Sequence, residues 1–122
     1  MSILAGMEII AFDAPTGRPV HAFGSSGLRA SHLVHDEDLA VTVLHVAAGG
    51  EIGSHPATDD QLFLVTAGRG EVCGGDGAWR PVATGQAVLW RGGEVHTTRA
   101  HEDLTAVVVE ARRLRPATRG GT

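Results

Sequence analysis

The chain has 122 residues, 43% of them hydrophobic and 20% charged, which fits a single globular domain with one core and leaves no room for a second. Its ten basic residues are all arginines and it has no tyrosine, which excludes lysine Schiff-base chemistry and phenol acid–base catalysis. The net charge is −4, with six arginines against fourteen acids up to Glu110, a balance that argues against nucleic acid as a partner.

The opening Met1–Gly6 has no basic flank and meets Glu8 early, a poor match to a signal peptide. No run approaches the apolar length needed to span a bilayer, so a cytoplasmic protein without a membrane partner is expected. In chain order, short β-like runs are predicted over Met7–Phe12, Leu28–His35, Leu39–Ala47, Gln61–Thr66, Glu71–Cys73, Trp79–Val82, Ala87–Trp90, Val95–Arg99 and Leu104–Glu110. Between them lie turn signals at Gly49-Gly50, Gly68-Arg69-Gly70, Gly74-Gly75-Asp76-Gly77, Gly92-Gly93 and Glu102-Asp103. Seventeen glycines interrupt any helical periodicity, so the fold class is all-β with little or no helix, a sandwich or a barrel. Cys73, the one cysteine, excludes an internal disulfide and reads as a small side chain ending a strand. The arginine-rich segment 111–122, with Arg112, Arg113, Arg115 and Arg119, reads as a flexible tail after a domain over 1–110.

Seven histidines leave imidazole and metal chemistry open. His55 follows a glycine-rich turn, and Gln61 opens an apolar strand six residues later. His96 follows Gly92-Gly93 and heads another strand. A barrel brings such distant residues to one interior, where two imidazoles leave coordination positions free for water or substrate. His45 falls on the strand face of Val41, Val43 and Ala47; facing inward, it serves as acid–base or orients a ligand, and otherwise it is a satisfied core histidine. Phe63, Val65, Trp90 and Leu44 are candidate pocket walls or core, and Arg91 is either a greeter of anions at the mouth or an ordinary solvated arginine. Asp59 and Asp60 are either alternative ligands or solvent-facing loop acids.

Two segments carry a family resemblance. Gly49, His55, Gln61 and Gly68 are spaced like the first motif of the cupin β-barrels, and Gly85, Gly93 and His96 like the second, over 49–68 and 85–100. The chain departs from that pattern where Ala57 stands for a second histidine, Gln61 for a glutamate, Arg91 for a proline and Ala100 for an asparagine. The resemblance implies a single jelly-roll barrel, the double-stranded β-helix. It also implies a divalent transition metal (iron, manganese, zinc or nickel) on His55, Gln61 and His96, with substrate in the gap at Ala57. With no charged ligand on the metal, weak binding and a small anionic or oxygenated ligand are expected. Dioxygenase-, isomerase- or cyclase-type chemistry follows from the likeness, with His96 and His45 as catalytic residues. The alternatives are a metal-free module that binds or senses a small molecule and a structural barrel; a homodimer is compatible with all three.

Overall fold

The computed structural model describes residues 6–117. Among these residues nine strands form: β1 (Arg18–Val20), β2 (Ser26–His35), β3 (Leu39–Pro56), β4 (Asp60–Ala67), β5 (Arg69–Cys73), β6 (Trp79–Ala83), β7 (Ala87–Trp90), β8 (Val95–Ala100) and β9 (Leu104–Ala111). Two single 3₁₀ turns, Ala14–Thr16 and Ala22–Gly24, are the only helical pieces among the described residues. All strand pairings are antiparallel, in the order β6-β5-β8-β3-β9-β4-β7, with β2 laid against β3 and β1 against β2.

The long strand β3 is the hinge of this architecture. Its first part, Leu39–Val46, pairs with β9 on one side and β2 on the other. Its last part, Glu51–Pro56, pairs with β8. One strand thus joins two sets of partners, and the two halves of the one nine-stranded sheet curl into a nearly closed jelly-roll barrel. The core between them joins Leu28, Val46, Ile52, Phe63, Val65, Val72, Trp90, Leu104 and Val108. Gly68 lets the β4–β5 connection pass close to its neighbour: it has φ +79°, and a Cβ there would lie 2.1 Å from the Asp103 carbonyl oxygen.

Eight of the predicted runs coincide with strands to within a few residues, apart from β3, which runs on past its expected end. Met7–Phe12 is not a strand: it pairs with no other segment and leaves Met7, Ile9, Ile10 and Phe12 exposed. The expected turn at Gly49-Gly50 is instead an irregularity within β3, which continues to Pro56 because β8 and the start of β2 supply partners. Strand β1 gave little signal, being three residues long with Pro19 in the middle, a composition confined to sheet edges. Cys73 ends β5, half-buried and unbridged. In the tail, Leu114 is tied to the barrel by its backbone; Arg119 and the rest of 118–122, like Met1–Ala5, lie outside the described residues.

Candidate functional site

His55 and His96 are cross-strand partners on β3 and β8. Their ring centroids lie 4.4 Å apart, tilted by 58°. The same local geometry fixes each ring. His55 Nδ1 lies 2.7 Å from the Gly53 carbonyl oxygen, and His96 Nδ1 lies 3.1 Å from that of Glu94. A carbonyl only accepts, so in both rings Nδ1 carries the proton and donates it, and Nε2 keeps its lone pair. His96 is buried, and desolvation pulls its pKa below the ordinary histidine value, with the neighbouring His55 adding to the effect against the bond to the Glu94 carbonyl. The uncharged imidazole is the favoured form.

The pair sits inside a continuous aromatic stack. Phe23 lies on His55 at 4.8 Å, Trp90 lies on His96 at 4.2 Å, and Phe63 meets the edge of Trp90 at 5.4 Å. Phe23 comes from the Ala22–Gly24 turn, where it adopts φ +58°, an uncommon conformation for a residue with a Cβ. Its carbonyl presses on β3 so closely that only Gly53 fits: a Cβ there would lie 1.7 Å from the Phe23 oxygen. The opening around these rings is a cavity of about 250 Å³, at the small end for a metabolite site.

Of the residues singled out from sequence, His55, Gln61, Phe63, Trp90 and His96 line this cavity. His45, Ala57, Val65 and Arg91 do not. His45 points the other way, because the face lining the cavity is that of Thr42 and Leu44. It lies 2.7 Å from the Phe12 carbonyl oxygen through Nε2 and 3.1 Å from the Thr105 hydroxyl through Nδ1. Ala57 is buried, with its backbone bonded to Glu94 and Gly93. Val65 is core. Arg91 is turned away from the cavity and holds Asp60 at 3.0 Å and the Leu114 carbonyl at 2.7 Å. Asp60 is no solvent-facing loop acid either: it is buried and also accepts the N–H groups of Gly92 and Leu114. Sequence reasoning missed Phe23, His32, Thr42 and Glu110, which also line the cavity. Only Glu110 had left a trace, an acid in phase with Ala106 and Val108 on a strand otherwise rich in valine.

The chain matches the family described as the cupin domain over residues 42–111. It belongs to the cupin family. Among solved structures, a cupin 2 conserved-barrel protein from Salinispora arenicola is 25% identical, with 85% of this chain and 87% of that one covered at a TM-score of 0.70. A conserved protein of unknown function from Streptococcus pyogenes is 27% identical over 72% of this cupin and 76% of its own chain, at a TM-score of 0.65. A variant of salicylate 1,2-dioxygenase from Pseudoaminobacter salicylatoxidans is 17% identical over 70% of this chain and 26% of that one, at a TM-score of 0.66; this likeness is one of fold. None of the curated proteins matches. No helix among the described residues is long and apolar enough to cross a membrane.

Cupins often carry a transition metal in the barrel. Among the described residues, no group of three or more His, Cys, Asp or Glu side chains is placed to hold one. The donor chemistry of the imidazole pair nonetheless fits such an ion. Ligating histidines ordinarily donate their second ring N–H to a carbonyl, as His55 and His96 do. Gln61 lines the same cavity with a neutral amide oxygen as third donor. The set is short of one ligand and of any charge.

Proposed function

We propose that this cupin takes a small oxygenated metabolite into its barrel with the help of a weakly held divalent transition-metal ion on His55, His96 and Gln61. The observation that carries this reading is the matched pair of Nδ1–H···O=C bonds, which leaves two neighbouring Nε2 lone pairs on rings 4.4 Å apart. Such an ion supplies Lewis-acid polarisation of a ligand oxygen. The chain's own residues do the rest. Trp90 and Phe23 hold the imidazoles by stacking, and Phe63 and Trp90 keep water from one wall. Dioxygenase-, isomerase- or cyclase-type turnover of such a ligand is the reaction class in keeping with this arrangement.

The test is elemental analysis after dialysis against manganese(II) or zinc(II). Wild type is expected to retain about one ion per chain and the His55→Ala/His96→Ala variant none; equal content in both overturns the metal. The short ligand set favours a second reading, a metal-free binding pocket, in which ligand-dependent thermal stabilisation persists in chelator. The exposed Met7, Ile9, Ile10 and Phe12 favour a homodimer covering that segment. Light scattering on wild type and on a chain with these four residues changed to Ser is expected to give a dimer and a monomer.

A further inference from the structure

Opposite the imidazole pair, the cavity has a second polar end. Glu110 follows Ala106 and Val108 on the inward face of β9, and both of those residues are buried in the core. Among the described residues it is the only acid lining the cavity and no arginine does; the histidines lining it are His32, His55 and His96. None of the ion pairs among the described residues includes Glu110. Beside it stand Gln61, its cross-strand partner on β4, and Thr42, bonded at 3.1 Å to His32 on β2. Between the two ends the walls are apolar: Leu44, Phe63 and Val108.

The register gives the separation. Trp90, which stacks on His96, pairs with Gln61, and Gln61 pairs with Glu110. Two strand spacings thus separate the Trp90 and Glu110 backbones, about 10 Å. Glu110 is half-buried and faces the cavity without an ion-pair partner among the described residues, which leaves its carboxylate free to bond a ligand that brings a positive donor.

We propose that Glu110 reads a cationic end of the ligand, so that the cavity accepts a small molecule with an oxygen that meets an ion held by the imidazole pair and a protonated amine at the Glu110 end. The inference rests on the reading of the cavity as a ligand site given above and narrows it from oxygenated metabolites to amine-bearing ones. Thr42, across from Val108 on β3, is next along the same face and offers its hydroxyl oxygen to a remaining amine hydrogen.

Two isosteric probes separate this inference from its premise: para-(aminomethyl)benzoate and para-ethylbenzoate, which differ only in the charged donor. Titration calorimetry is run with added manganese(II) and again in chelator, on wild type and on Glu110→Gln, with folding checked by melting. Wild type is expected to favour the amine probe by about tenfold, the scale of one hydrogen bond to a charged group. Glu110→Gln is expected to erase that preference. If wild type binds both probes equally, or Glu110→Gln keeps the preference, the cationic end is overturned and the ligand cavity stands. If neither probe binds wild type in either condition, the cavity reading falls and the proposal falls with it.

Discussion

His45 and His55 stand on the same strand, both at odd positions and both half-buried, yet their chemistry is opposite. His45 lies on the outer face and spends both ring nitrogens: Nε2–H donates to the Phe12 carbonyl, so Nδ1 accepts from the Thr105 hydroxyl. His55 lies on the inner face, donates through Nδ1 to Gly53 and keeps Nε2 free. Side chains alternate along a strand, so two odd positions share a face unless the strand is interrupted. It is interrupted here. Between Ile52 and His55, β3 advances three residues while β8 advances two, from Thr98 to His96, and this bulge exchanges the faces. Ile52 and His55 therefore both line the cavity despite their opposite parity. A bulge of one residue decides which histidine is available as a ligand.

The largest effect is expected where that bulge meets the Phe23 turn. In Gly53→Ala the new methyl overlaps the Phe23 carbonyl at 1.7 Å, and either β3 or the Ala22–Gly24 turn must move. Denaturant unfolding should register a loss of about 3 kcal/mol, as for other cases of forced overpacking. The same displacement lifts Phe23 off His55, so metal retention should fall with stability. A Gly53→Ala protein with native stability would show that the close approach does not hold the bulge.

A smaller effect is expected at Asp60, which lies outside the cavity and ties β4 to the second motif and to the tail. Its carboxyl is held below the ordinary aspartate value, first by the Leu114 N–H, then by the Gly92 N–H, with Arg91 assisting and partial burial opposing. A depressed native pKa means that folding favours the ionised form. The stabilisation is therefore complete above the ordinary carboxylate range and is lost as pH falls through the native value. Asp60→Asn should be less stable than wild type at neutral pH, and acid unfolding curves of the two should converge as Asp60 protonates. Metal retention at neutral pH should match wild type, since the outer tie and the inner site share no side chain. A gap that persists undiminished in acid would remove ionisation from the account.

The positions of the strands and the two motif histidines were legible because they rest on local signals. Glycine-punctuated apolar runs marked the strands, and the spacing from Gly49 to Gly68 and from Gly85 to His96 marked the two motifs that carry the histidines. What was not legible depends on contacts between distant segments. The face of His45 stayed open because alternation gives the relative phase of residues and not which phase is inside. The roles of Asp60 and Arg91 depend on Leu114, more than twenty residues beyond either in the chain. Phe23 belongs to a turn without periodicity, and its place over His55 follows from the absence of a side chain at Gly53.

The smallest effect is expected at His45 itself, and it sharpens the contrast most. His45→Ala removes two hydrogen bonds from a half-buried outer site and leaves the Thr105 hydroxyl and the Phe12 carbonyl within reach of solvent. Neither group is stranded in the core, so the loss should be about 1 kcal/mol. Phe12 is the attachment point of the exposed Met7–Phe12 segment, so amide exchange of residues 6–12 should quicken. Metal retention and probe binding should stay at wild-type levels, whereas His55→Ala abolishes the first. Loss of metal in His45→Ala would mean that the outer ring reaches the inner site through Thr105 and β9, and the division of β3 into a structural and a ligating histidine would fail.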